Sequence, residues 1–241
     1  MGHIDCFSFG ERQLNRDLIE QKDIVEVGAS ADGGSMRPYC LSLNPKSYIG
    51  VDIQEAPGVD LICDALDLLD KLGPESCDVV IATELMEHIR DWRKLIHVFK
   101  NLLREEGVVI ITTRSLGFPF HYAPFDFWRY EVSDMEEIFR DFEIMCIEKD
   151  TRVINNKITP GVFISAKKPK TFIENNLDNL HLYSIIKKAR VANINNIDII
   201  NFELFDLGKN YFFKHNFLPF IIRETLSKHI IRPWRNRKAK H

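Results

Sequence analysis

Carboxylates stand where the apolar runs of this chain end. Glu26 lies in Ile24-Val25-Glu26-Val27-Gly28, Asp52 closes Tyr48-Ile49-Gly50-Val51-Asp52, Asp64 closes Val59-Asp60-Leu61-Ile62-Cys63-Asp64, and Glu84 follows Cys77-Asp78-Val79-Val80-Ile81-Ala82-Thr83. A single carboxylate can accept two hydrogen bonds from a vicinal diol. Asp52 comes 24 residues after Gly28, near the distance at which doubly wound nucleotide-binding folds place an acid on a ribose. Glu26 sits in an otherwise apolar strand, where burying it is costly unless it meets a cation or donors, and a ligand carrying an ammonium group would supply one. Farther along, His88, His121, Glu84 and Asp126 are residue types that take a proton from a hydroxyl. Each falls beyond the end of an apolar run, on the side where ligands bind in open α/β sheets.

The elements that must position these groups follow from the pattern. Residues 24–28 read as a buried parallel strand, and Gly28-Ala29-Ser30-Ala31-Asp32-Gly33-Gly34-Ser35 as a tight turn into a helix. Ser30 occupies the second glycine position of G-x-G-x-x-G, which disfavours a dinucleotide pyrophosphate. A first crossover helix is expected over 36–43, beginning near Pro38. Strands follow at 48–52, 59–65, 77–84 and 108–113, and a helix with inward Trp92, Leu95, Ile96, Phe99, Leu102 and Leu103 is closed by Gly107. This alternation predicts a doubly wound, mostly parallel sheet with right-handed crossovers. Arg114 to Tyr130 is too broken by proline for a helix and too aromatic for an idle loop. Ser133 and Glu136 have capping-box spacing at the start of another helix. Residues 142–149 and 161–167 then read as an antiparallel hairpin on the sheet edge.

The chain has 241 residues, 45% apolar and 28% charged, with net charge −3. That length suits one domain with an appendage: 1–169, and a mainly helical extension over 170–241. From Lys209 onward there are nine Lys and Arg against one acid, Glu224, so the preceding part carries about −11 by difference. An acidic body with a basic end does not predict nucleic-acid binding. Five scattered cysteines without C-x-x-C fit a reducing cytoplasm, and the start of the chain lacks a secretory pattern. Residues 217–238 interleave apolar and basic positions, a pattern open to two readings, one of them peripheral contact with the inner face of an anionic membrane. The alternative is an apolar helix face packed on the domain or on a second subunit, giving a homodimer.

The order of Glu26-Val-Gly28, Gly50-Val-Asp52, Cys63-Asp64-Ala65 and Asp78-Val-Val-Ile-Ala-Thr83-Glu84-Leu-Met-Glu87-His88-Ile resembles the class I S-adenosylmethionine-dependent methyltransferases, in particular the small-molecule group called type 11. The resemblance covers about residues 20–168. It implies a Rossmann-like methyltransferase fold of seven strands whose edge hairpin NAD-binding domains lack. It also implies S-adenosyl-L-methionine as cofactor and S-adenosyl-L-homocysteine as product. By the same resemblance Glu26 and Gly28 hold the methionine end, Asp52 the ribose, and Asp64 and Ala65 the adenine, with Ala29, Ser30 and Ile53 also expected at the cofactor. Thr83 and Glu84 lie against the cofactor after the fourth strand. Ser30 and Asp32 replace the family's later glycines, with Gly33-Gly34 displaced.

Methyl transfer asks a protein to align nucleophile and methyl and to exclude water. For a hydroxyl acceptor, His121, Asp126 and His88 are the candidate catalytic bases. Tyr122, Trp128, Arg129 and Tyr130 form a candidate substrate clamp, the alternative being a lid packed on the core. His88, His121 and Asp126 show no helical or hairpin metal spacing, so no metal is expected. The expected activity is O-methylation of a small-molecule or glycan-type, including lipid-linked, acceptor. N- or C-methylation and a non-catalytic binding module are the rivals.

Overall fold

The computed structural model describes residues 4–30, 34–121, 125–150, 153–154, 157–158 and 160–203. Helices α1 (Ile4–Gln13) and α2 (Arg16–Ile19) lead into β1 (Asp23–Val27), α3 (Arg37–Ser42), β2 (Ser47–Asp52) and β3 (Leu61–Ile62). A 3-10 turn (Ala65–Asp67), α4 (Leu68–Leu72), β4 (Cys77–Thr83), a second 3-10 turn (Met86–His88), α5 (Trp92–Leu102) and β5 (Leu103–Arg114) follow. The chain continues through β6 (Trp128–Arg129), α6 (Val132–Ile138), β7 (Glu143–Asp150), β8 (Val153–Ile154), β9 (Lys157–Ile158) and β10 (Gly161–Lys167). It ends, among the described residues, with β11 (Leu182–Ser184), β12 (Ala189–Val191) and α7 (Asn196–Phe202).

The main sheet has seven strands in the order β3-β2-β1-β4-β5-β10-β7. The first five run parallel, and β10 is antiparallel to both β5 and β7. The doubly wound sheet and its antiparallel edge are therefore as the pattern predicts. Strand side chains alternate between faces, and both faces are covered. Val80 and Ala82 join one core with α5 and α6, whereas Val79 and Ile81 join another with Cys6, Phe9, Leu14, Ile19, Met36 and Cys40. A strand buried on both sides reads as a continuous apolar run, which is why β4 was so plain in sequence.

Several boundaries differ from expectation for local reasons. The third strand shrinks from 59–65 to Leu61–Ile62, because Asp64 turns the chain by accepting a hydrogen bond from Leu66 N at 3.0 Å. Gly107 does not close α5. Leu103 already pairs with Cys77, and a bulge with Glu106 at φ 63° carries the chain straight into β5. The helix start near residue 132 is not Ser133 with Glu136. Glu131 precedes the helix and its N–H donates to Asp134 at 2.9 Å, while Ser133 is exposed in the first turn.

The extension also differs. Its described part is a β-hairpin and one helix rather than helices alone. β11 pairs antiparallel with both β12 and β6, so residues after 170 complete a second, three-stranded sheet. Leu177, Leu182, Ile186, Ile194, Ile199 and Phe202 enter the same core as β4 and α5. The Arg93 guanidinium on α5 donates to the carbonyls of Leu177 (2.9 Å), Leu180 (2.6 Å) and Ala192 (2.7 Å). Residues 217–238, with their expected membrane or subunit contact, lie outside the described residues.

Candidate active site

The turn after β1 is built first. Gly28 takes φ 82°, in the left-handed region that glycine occupies at little cost. Its N–H and that of Ala29 both donate to Val51 O, at 2.8 and 3.0 Å. Those amides are thus used to bring the tip of β1 against β2 and are not offered to a ligand. Cys63 N donates to Asp52 O at 2.9 Å, which brings β3 alongside. Gly28, Asp52 and Asp64 consequently stand along neighbouring strand tips. Ala29 is buried, Ser30 half-buried, and residues 31–33 lie outside the described residues.

Glu26 does not wait for an ammonium group. It is 1% exposed, accepts hydrogen bonds from Met36 N and Tyr48 Oη, each at 2.8 Å, and also takes the Ser35 hydroxyl. Burial raises its pKa and these donors oppose the rise. Its work is to fold the turn back onto β1 and the start of α3. The protein's own donors meet the burial cost that had suggested a charged ligand.

Asp52 accepts Gln54 N at 3.1 Å through Oδ1. Asp64 caps the 3-10 turn, as an ordinary turn residue does, and Ala65 is buried behind it. Ile53 and Ile62 are large apolar side chains left 48% and 57% exposed beside these acids. Ile62 was not anticipated. An acid flanked by exposed apolar surface suits a nucleoside, with a polar sugar and an apolar base.

Gly50 is a second residue missed in sequence. A Cβ there would overlap Gly58 O and meet Arg37 Nη2 at 2.9 Å and Ala29 Cβ at 3.0 Å. Backbone cannot yield as a side-chain end can, so Gly50→Ala is expected to cost about 1–3 kcal/mol. The check is chemical denaturation, where a midpoint equal to that of wild type would refute the close approach.

Thr83 ends β4, buried, and Glu84 follows at φ 54°. Glu84 was expected against the cofactor, but its side chain turns toward α1. It pairs with Arg114 and receives Thr112 Oγ1 at 3.3 Å and Cys6 Sγ at 3.4 Å. Burial, then the charge of Glu87, push its carboxyl up to about 7 against the pull of Arg114. Leu85 takes the place over the glycine turn, with its Cδ1 3.4 Å from where a Gly28 Cβ would stand.

Beyond β4 and β5, two of the three candidate bases come together and the third changes role. His88 and His121 approach edge to face with ring centroids 4.7 Å apart. Asp126 is fully buried, and Arg129 holds both its oxygens at 2.5 and 2.6 Å. It also accepts His121 N at 3.0 Å, with His121 Nδ1 3.2 Å away. Burial alone would raise the Asp126 pKa; the Arg129 and His121 hydrogen bonds outweigh it and lower the value. A carboxylate so held is no free base.

The clamp is corrected in favour of its alternative. Trp128, Arg129 and Tyr130 are all fully buried. Trp128 Nε1 donates to Arg90 O at 3.1 Å and Tyr130 Oη to Met86 O at 3.3 Å. Arg129 adds bonds to the carbonyls of Trp128 (2.7 Å), Pro119 (3.0 Å) and Phe118 (3.3 Å). Strand β6, pinned between β11 and the 3-10 turn, leaves these side chains no face toward an opening. Tyr122 lies outside the described residues.

Glu87 is the functional candidate that sequence reasoning passed over. It is fully buried, with Oε2 receiving Thr113 Oγ1 at 2.8 Å and Oε1 lying 3.7 Å from His121 Nε2 and 4.0 Å from His88 Nε2. The signal available was an acid next to a histidine just past the most apolar strand.

Comparison with known proteins agrees with this architecture. A family profile described as "Methyltransferase domain" matches residues 5–142. No curated protein matches the chain. Among solved structures, the 1,6-didemethyltoxoflavin-N1-methyltransferase of Burkholderia thailandensis superposes with TM-score 0.56 at 16% identity, over 68% of this chain and 78% of that one. An S-adenosylmethionine-dependent methyltransferase from Mesorhizobium loti gives 0.53 at 14%, over 68% and 98%. Phosphoethanolamine N-methyltransferase 2 of Haemonchus contortus gives 0.51 at 16%, over 68% and 52%. At these identities the structures share a fold, and the profile covers more than half of the sequence. On that match and this sheet order, the chain belongs to the methyltransferase-domain family.

Proposed function

We propose that this protein transfers a methyl group from S-adenosylmethionine to an oxygen of a small-molecule or glycan-type acceptor. The observation that carries the reading is the convergence of Gly28, Asp52 and Asp64 on adjacent strand tips, with His88 and His121 beyond the next two. The similar structures from Burkholderia thailandensis and Haemonchus contortus were obtained with S-adenosylhomocysteine and S-adenosylmethionine respectively, which supports the same cofactor here. Asp52 would accept the ribose hydroxyls, and Ile53 and Ile62 would cover the adenine. Leu85 would lie between the glycine turn and the acceptor side.

When bound, the cofactor supplies a methyl carbon on a sulfonium, an electrophile with a neutral thioether leaving group. The residues of this chain align the acceptor oxygen with that carbon and take up its proton. The acceptor oxygen would take the methyl in place of the C–S bond, whose electron pair would return to sulfur. The imidazoles at the β4 and β5 tips suit the proton's departure, because an alcohol must lose it and an amine nucleophile need not be ionised first.

The test is turnover with methyl-labelled S-adenosylmethionine and a cell extract, followed by mass spectrometry of the labelled product. A methyl ether is expected. Both N-methyltransferases named above make N-methylation the second reading, and a labelled methylamine would establish it in place of ours. Absence of labelled product while S-adenosylhomocysteine still binds would point to the non-catalytic module.

A further inference from the structure

The groups beside the Nδ1 atoms of His88 and His121 favour one tautomer of each ring. His88 Nδ1 lies 2.5 Å from Phe125 O. A carbonyl only accepts, so the proton is on Nδ1 and the lone pair on Nε2. His121 Nδ1 lies 3.2 Å from the Asp126 carboxylate without hydrogen-bond geometry, so the neighbouring negative charge is what favours a proton on Nδ1 and a lone pair on Nε2. Both Nε2 atoms face Glu87, whose Oε1 is buried without a hydrogen-bond partner among the described residues. The three atoms lie within 4.8 Å of one another. With both rings neutral, three electron-pair donors surround one point, and one of them is a fully buried carboxylate oxygen. Such an atom is costly to leave unmatched.

We infer that Glu87, His88 and His121 form a binding site for one divalent first-row transition cation such as Mn²⁺, Co²⁺ or Zn²⁺. Ligands about 2.0–2.2 Å from one ion stand roughly 3–4 Å apart. The separations of 3.7 and 4.0 Å from Glu87 Oε1 are within that range. Two imidazoles and a carboxylate suit these cations better than Mg²⁺ or Ca²⁺. Metal-bound histidines regularly direct their other ring nitrogen to a carbonyl or carboxylate, as His88 Nδ1 does to Phe125 O, while His121 Nδ1 stands 3.2 Å from Asp126. Glu87 is in turn steadied by Thr113 Oγ1 at 2.8 Å.

The ligands come from two places in the chain. Glu87 and His88 are on the 3-10 turn after β4, and His121 is on the aromatic segment after β5. That separation is why sequence spacing gave no metal expectation, and why Asp126, once grouped with the histidines, proves to stand behind one of them. The site is reached past His121, whose side chain is 32% exposed against 10% for His88. Three protein ligands leave coordination positions open on that side. Resting on the O-methylation proposed above, those positions would take the acceptor hydroxyl and a neighbouring oxygen, so a chelating pair of oxygens is the acceptor class favoured. A hydroxyl on the cation loses its proton more readily; with the ion in place the two imidazoles hold it instead of taking up that proton, which passes to solvent.

The experiment uses the full chain, stripped with a chelator and dialysed, with Mn²⁺ binding followed by electron paramagnetic resonance and Co²⁺ by its visible absorption. One ion per chain is expected, with affinity falling at least tenfold in Glu87→Gln and in His121→Ala. Glu87→Gln keeps an oxygen for Thr113, and His121→Ala removes a partly exposed ring, so both should fold. S-adenosylhomocysteine calorimetry on the same samples separates the two readings. Cofactor bound without any Mn²⁺, Co²⁺ or Zn²⁺ by wild type overturns the metal site alone and leaves an internal ion pair in its place. Cation binding unchanged in both variants overturns it as well. If neither cofactor nor cation binds to folded wild type, both readings fall.

Discussion

Asp126→Asn is expected to destabilise the protein by about 3–5 kcal/mol, the usual result of leaving one member of a buried ion pair uncompensated. Arg129 is fully buried, and its guanidinium would then face a neutral amide and backbone carbonyls. At about 2–4 °C per kcal/mol for a chain of this size, the melting temperature should fall by roughly 10 °C. Replacing both residues with leucine should recover part of that loss, because a desolvated pair contributes less than the cost of breaking it suggests. Acid sensitivity supplies a second reading. The Asp126 pKa is lowered from 3.8 in the folded protein, so its stabilisation is present above the unfolded value and disappears as pH falls through the folded one. Asp126→Asn should lack that component. A melting temperature within 2 °C or so of wild type at neutral pH would show that the pair carries little.

The second large effect concerns the cofactor. Asp52→Ala should weaken S-adenosylhomocysteine binding by about 100-fold or more. Hydrogen bonds to a charged group contribute about 1.5–3 kcal/mol each, two are offered by a ribose diol, and every 1.4 kcal/mol is tenfold. Asp52 makes one local bond, to Gln54 N, so the fold should survive the change. Calorimetry is the measurement. Equal affinity in wild type and variant would remove Asp52 from the site and with it the ribose reading.

What was legible in the sequence was what depends on neighbouring residues. β1, β4 and β10 were clear because a strand covered on both faces is apolar nearly throughout, and the covering helices could be counted between them. The position of Asp52 and Asp64 at strand ends could be read because an apolar run stops at each, and strand tips in such a sheet share one edge. What failed depended on partners far along the chain. Trp128, Arg129 and Tyr130 carry the residue types of a ligand clamp, and nothing local reveals that β11 will bury them. Glu26 looked in need of a ligand because its donors, Tyr48 and Met36, come from two other elements. The Glu87 cluster escaped for the same reason, since His121 reaches it only after β5 has been laid beside β4.

The pairing of β6 with β11 sets the smallest piece of this protein worth isolating. The family profile stops at 142, yet the strand that holds the aromatic segment in place is flanked by residues from 182–184. A fragment ended at 169 would strip Trp128 of that neighbour and leave Arg93 without the carbonyls of Leu177, Asp178, Leu180 and Ala192. Melting of the sheet and of the hairpin beyond 180 should therefore coincide as one transition, and shortening the gene at the apparent domain end would yield an insoluble product rather than a leaner enzyme.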